Sequence, residues 1–239
     1  MDYKNLALLV ISVAMALLVP IMIYGHSFNS VAFEREFYKK EFLEYGVYNT
    51  FQDYDVDNIN NEVLNYLKGE KNNALIENNF FNEREKAHLL DVKNLVHKEL
   101  NIYYVSIILF LILSASLVFL LGFDPKVILQ RFLLILLFGS ILALVIAFLL
   151  FVISKTDFGF AFYLLHKTFF PVGTYTFNPE FERIVVLYPE SLFSDAFAKI
   201  ISKTILSSAI VFLVSFAVLF RFFKGKFLQI FSAKFRRQT

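Results

Sequence analysis

Polarity partitions this chain. Four apolar stretches, roughly 6–24, 103–122, 132–153 and 204–223, carry no acidic or basic residue in their interiors. Each is close to the ~20 residues that a helix needs to cross the hydrocarbon core of a bilayer, and each is predicted to be a transmembrane helix. The first follows Lys4 and is longer than the ~7–15 residues of a signal peptide's apolar region. No small-residue cleavage site follows Tyr24, so the stretch reads as a retained anchor, with Pro20 producing a kink near its outer end.

The segments between the spans follow a different pattern. In 34–45, charges alternate with Phe33, Phe37, Phe42 and Tyr45, which predicts a helix stopped by Gly46. The run Asp53-Tyr54-Asp55-Val56-Asp57-Asn58 is turn-like and leads into a helix that reaches Leu67 and ends at Gly69. Its acids suit helix caps; the glycine and distal glutamate of a calcium loop are missing. Asn82-Glu83-Arg84-Glu85 is a variant capping box. The helix it opens has Leu89, Val92, Val96 and Leu100 on one face and should run unbroken into the second span. Phe158 to His166 is apolar but too short to span, which suits a helix lying in the membrane interface or a re-entrant piece. Asn178-Pro179 should start a short helix that stops by Tyr188-Pro189. With no Trp in the chain, Tyr24, Tyr103, Tyr104, Tyr163, Tyr175 and Tyr188 are the expected interfacial anchors.

The expected fold is therefore an all-α membrane protein, four transmembrane helices with an extracytoplasmic helical cap. Transmembrane helix 1 occupies 1–24 and an extracytoplasmic helical segment 25–102. Helices 2 and 3 with a short cytoplasmic loop occupy 103–153. A second extracytoplasmic segment with the interfacial helix covers 154–203, helix 4 covers 204–223, and a basic cytoplasmic tail covers 224–239.

Composition supports this reading: 57% of residues are hydrophobic and 18% charged, against about 45–50% and 25% in soluble domains. Charge distribution gives the orientation. The ends and the connection between spans 2 and 3 hold nine basic residues and two acidic ones, whereas 25–102 holds nine and fourteen and 154–203 five and five. The positive-inside rule then puts both termini in the cytoplasm and both large segments outside.

Candidate chemistry is sparse. Zero cysteine excludes disulfides, thiolate nucleophiles and Cys-ligated metals. No nucleophile elbow or phosphate loop is present. No cofactor, metal or nucleic-acid partner is expected. Two of the four histidines, His88 and His166, lie in separate water-facing segments, and imidazole can both take and give a proton near neutral pH. Glu85, His88 and Asp91 are spaced three apart on one helix side, so Glu85 or Asp91 could orient His88; an ordinary solvated face is the plainer reading of both acids. Glu85-x-x-His88 also has the spacing of a di-iron motif, but a bundle needs two such motifs and further glutamates. His97 faces away from His88 and His26 should face the headgroups. The many Phe read as lipid or core contacts.

Three blocks occur in order between the four spans. The first is Phe37-Tyr38-x-x-Glu41-Phe42-x-x-Tyr45-Gly46-Val47; the second is Glu85-x-x-His88-Leu89-x-Asp91-Val92-Lys93. The third is Phe162-x-x-x-His166-x-x-Phe169-Phe170, then Tyr175-Thr176-Phe177-Asn178-Pro179 and Leu187-Tyr188-Pro189-Glu190-x-x-Phe193-x-Asp195. Together they resemble the lipoprotein intramolecular transacylase (Lit) family of Gram-positive bacteria over nearly the whole chain; that family's pattern often has Trp where this chain has Tyr175. The resemblance implies an acyltransferase that moves an acyl chain from the diacylglyceryl moiety of a lipoprotein to the α-amino group of its N-terminal cysteine, giving a lyso-form lipoprotein. It implies a diacylated lipoprotein substrate amid membrane lipid and an essential histidine pair at His88 and His166; Glu85 and Asp91, by their spacing from His88, and Tyr175 are the supporting candidates. Which imidazole acts as base stays open. The competing readings are a non-enzymatic membrane protein with a partner-binding or sensing cap, and a different membrane lipid acyltransferase or hydrolase.

Overall fold

The computed structural model describes residues 2–70, 75–171 and 173–235, with side chains described as far as 222. Among these residues the protein is all helix and loop: α1 (Tyr3–Ala32), α2 (Arg35–Glu44), α3 (Val47–Thr50), α4 (Val56–Lys68), α5 (Glu83–Leu121), α6 (Pro125–Thr156), α7 (Phe158–Phe169), α8 (Ile184–Leu187) and α9 (Glu190–Phe235). Helices α1, α5 and α6, and α9 as far as Phe222, are long and apolar enough to cross a membrane. Arg236 and Arg237 of the basic tail lie outside the described residues.

The chain forms two compact units. The apolar unit comprises Met1–Tyr24, Tyr103–Phe148 and Ser202–Thr239; the polar unit comprises Gly25–Ile102 and Leu149–Ile201. In the apolar unit, Leu8, Met15, Leu117 and Ile135 form a buried cluster. Gly139 fits against α1 so closely that a Cβ there would lie 2.5 Å from Val19 Cβ and 2.9 Å from the Ala16 carbonyl oxygen. Its helix buries Ser140, Ala143 and Ala147 as well. Small residues permit this approach, which is how helices associate where lipid is as apolar as the side chains.

The polar unit has a conventional core. Phe37, Phe42, Val47, Phe51, Ile59, Val63, Tyr66, Phe80, Phe81, Leu89, Ile184, Leu187 and Leu192 bury one another. Its short helices end where the sequence says they should. Gly46 stands at φ +68 after α2 and Gly69 at φ +83 after α4, a left-handed conformation that glycine adopts without a Cβ penalty. The Asp55 side chain accepts the Asn58 amide and so caps α4. The capping box is reciprocal: Asn82 Oδ1 accepts the Glu85 amide at 2.9 Å, and Glu85 Oε2 accepts the Asn82 amide at 2.7 Å. Helix α5 then continues without a break to Leu121.

Two expectations require correction. The helix foreseen from Pro179 starts only at Ile184. Residues 178–182 close a turn on themselves, because Asn178 takes both the Phe181 and Glu182 amides on its carbonyl while Glu182 Oε2 accepts the Asn178 amide. Tyr188 is no interfacial anchor: its ring packs edge-on to Tyr38 and its hydroxyl donates to Asn60 Oδ1 at 3.0 Å.

Candidate active site

His88 and His166 come together within the polar unit. Their rings lie nearly parallel, 21° apart, with centroids separated by 6.2 Å. Helical spacing presents each ring. On α7, Phe158, Phe162 and His166 recur every four residues on one face, and Phe158 and Phe162 meet Phe197 and Phe193 of α9. On α5, His88 follows the buried Glu85 by three positions and is 7% exposed.

An aromatic wall surrounds the pair. Phe170 touches both, at 4.9 Å from His88 and 5.2 Å from His166. Phe177 stands edge-on to His88 at 5.2 Å, Tyr175 lies 5.6 Å from His166 and Phe162 4.2 Å from it. These apolar faces lower the local dielectric and strengthen any charge interaction made at the imidazoles.

The two rings differ in what they can do. His166 Nδ1 lies 2.8 Å from the Phe162 carbonyl. A carbonyl only accepts, so Nδ1 carries the proton, and the neutral ring presents a lone pair at Nε2. His88 Nδ1 is buried without a hydrogen-bond partner among the described residues. Burial, first, then the neighbouring His166 and Arg84, push the His88 pKa down to about 4. His88 is therefore a neutral imidazole at physiological pH, able to offer an N–H without bearing a charge.

The supporting acids are placed differently from each other. Glu85 is buried, but both oxygens are taken by backbone amides: Oε2 by Asn82 and Oε1 by Ile184 at 2.7 Å. It fixes the start of α5 and ties it to α8, and makes no hydrogen bond to the imidazole. Asp91 is half-exposed and, among the described residues, bonds neither histidine. Tyr175 does reach the site, against the His166 ring. His97 caps α4 instead: its Nε2 lies 3.1 Å from the Leu67 carbonyl and its ring packs on Gly69. His26 is exposed on α1.

Phe162, Phe170 and Phe177 stand in the third sequence block, but the sequence alone assigned none of them a place at the site. Their spacing carried a signal for two of them, since Phe162 precedes and Phe170 follows His166 by four residues. Nor did the sequence single out Arg84, which binds Glu182 at 2.7 Å. No local pattern links residues so far apart.

The sequence matches the family described as lipoprotein intramolecular transacylase Lit over residues 13–193. No curated protein matches the chain. Among solved structures, the membrane-integral lipoprotein intramolecular transacylase Lit from Bacillus cereus matches with a TM-score of 0.69 at 22% identity, over 94% of this chain and 98% of that one. A variant of it in which a histidine is replaced by arginine matches with a TM-score of 0.72 at 18% identity, over 95% and 96%. A variant with an alanine replacement matches with a TM-score of 0.73 at 18% identity, over 92% and 96%. The structural likeness establishes a shared all-helical membrane fold. The family match covers well over half of the chain, so this multi-pass membrane protein belongs to the lipoprotein intramolecular transacylase Lit family of acyltransferases.

Proposed function

We propose that this acyltransferase moves one acyl chain from the glyceryl moiety of a diacylated lipoprotein to the α-amino group of that lipoprotein's N-terminal cysteine, using His88 and His166. The carrying observation is the pair of facing imidazoles, 6.2 Å apart, with unlike protonation demands inside one aromatic wall.

Amine and ester belong to one substrate molecule, so holding them together removes much of the entropic barrier. The amine nitrogen attacks the ester carbon; the new C–N bond forms and the C–O bond to glycerol breaks. His166 Nε2, the free lone pair, takes the proton from the attacking nitrogen and returns it to the departing glycerol oxygen. Neutral His88 donates an N–H toward the oxygen that becomes negative in the tetrahedral intermediate. A neutral donor suits this step, because a cation there would have to be desolvated first. Ester-to-amide exchange needs no external energy source. Tyr175 supports His166 by contact, and Glu85 supports His88 by fixing the first turn of its helix. Asp91 lies on the same helix side and carries no assigned step.

The same reading sets the polar unit on the extracytoplasmic side, with both termini in the cytoplasm. The skewed basic residues support it; Phe160, Tyr163, Leu164, Leu165 and Phe169 of α7 are exposed, as a helix lying in the interface on either side requires. An impermeant thiol reagent on intact cells should label a cysteine at Thr50 and spare one at Lys126.

The deciding experiment is mass spectrometry of tryptic N-terminal lipopeptides from cells with and without the protein. The total acyl mass should stay constant while one chain moves from glycerol to nitrogen. A third chain, or release of free fatty acid, would refute the intramolecular transfer.

A further inference from the structure

Arg84 lies one turn ahead of His88, yet its guanidinium is committed to a loop distant in sequence. Nη1 donates to Glu182 Oε1 at 2.7 Å. Nη2 donates to the Gly173 carbonyl at 3.1 Å and to the Thr176 carbonyl. The guanidinium carbon also lies 4.9 Å from the centre of the Phe177 ring. One planar group thus gathers four positions of a segment that has no helix or strand ladder to hold it. Glu182 closes the far end, its other oxygen accepting the Asn178 amide.

This loop carries the two site contacts contributed from outside α5 and the α7 end: Tyr175 against His166 and Phe177 against His88. Arg84 is about half exposed, and ion pairs of that kind add little to stability. Its geometry is suited to something else. A forked, planar donor set fixes direction as well as distance, which a lysine ammonium cannot do.

We propose that Arg84 is a positioning residue that straps the 173–182 loop across the histidine pair and so sets the aromatic wall against which the reacting groups are aligned. The proposal rests on the transacylase reading given above. Because the strap touches both imidazoles, its release disturbs both at once, and the effect should fall on the chemical step more than on substrate capture.

The chain has no cysteine, so Thr176→Cys gives a single nitroxide attachment point on the exposed side of the strap. In labelled Arg84→Ala, the electron paramagnetic resonance spectrum should shift to a mobile form. The rate constant for lyso-form production should fall on the order of a hundredfold, the effect of a small misplacement of reacting groups, with KM little changed. Added guanidinium ion should restore part of both readings, and Arg84→Lys should fall between parent and alanine variant. Glu182→Gln, which keeps the shape, supplies a smaller shift of the same kind if Arg84→Ala fails to fold. A label as immobile in these variants as in the parent, or a mobile label with unimpaired conversion, overturns the strap. If the parent itself makes no lyso-form while the label still loosens on Arg84→Ala, the transacylase reading falls and the strap survives.

Discussion

The two units of this protein differ in how far their buried hydrogen bonds reach along the chain, although each also buries polar atoms without a partner among the described residues, His88 Nδ1 among them. In the apolar unit the buried polar residues are small hydroxyls that bond within their own helix: Ser106 to the Tyr103 carbonyl, Ser140 to the Leu137 carbonyl. Thr204 and Ser208 lack even that. In the polar unit, Glu85, Glu182 and Asn60 are buried, and each accepts a hydrogen bond from an element far along the chain. The contrast shows where specificity resides. Helices surrounded by lipid are held by shape and close approach. The polar unit joins segments distant in sequence through buried polar groups, Glu85 tying the start of α5 to α8 and Glu182 taking Arg84.

The comparison is broken most sharply at the histidines. His88→Ala or His166→Ala should each lower the rate of lyso-form production by about 10²–10⁴-fold, the usual contribution of acid–base groups, with normal membrane abundance. Conversion at the parental rate in either variant, followed by lipopeptide mass spectrometry, would remove the chemistry from the polar unit.

Acidification comes next. The His88 pKa of about 4 in the fold lies below the ordinary 6.5, so between these values the unfolded chain binds a proton that the fold refuses. The His88 contribution is nil above pH 6.5 and becomes a penalty as pH drops from 6.5 towards 4, by up to about 3 kcal/mol, while Glu99, whose pKa burial raises to about 7, works in the opposite sense over the same range. In thermal unfolding in detergent, the stability of the parent relative to His88→Gln should fall along this slope, the Glu99 contribution being common to both. Parallel curves would mean that His88 takes its proton without cost.

In the apolar unit, Gly139→Ala tests shape. The added carbon meets Val19 at 2.5 Å, so α1 or α6 must shift, at a cost of about 1–3 kcal/mol. The melting temperature should drop in detergent; an unchanged value would show that this contact yields without resistance. The smallest effect is expected at Thr204→Val, which removes a buried hydroxyl that has no partner. Stability should change by less than about 0.5 kcal/mol, or rise slightly. A large loss would reveal a polar network in the apolar unit after all.

How much of this was legible in the chain depends on the range of the force involved. The spans, the stops at Gly46 and Gly69, and the Asn82–Glu85 capping box rest on composition and on contacts within four residues, so they could be read directly. The false start at Pro179 shows the limit: the Asn178–Glu182 turn is local, but Glu182 also takes the Arg84 guanidinium from another helix, a contact no local pattern announces. Glu85 and His88 share a helix side by spacing, which suggested an orienting carboxylate. The tertiary fold instead spent both carboxylate oxygens on backbone amides, one of them at Ile184.

The sequence by itself determined that this chain is helical, crosses the membrane, contains no thiol and has few imidazoles to use, because solvation and helix periodicity act residue by residue. Only the tertiary structure decided that His88 and His166 face each other, that Phe162, Phe170, Tyr175 and Phe177 enclose them, and that Arg84 holds the enclosing loop. Those contacts join segments far apart along the chain, and their energies arise only once burial has removed the water between them.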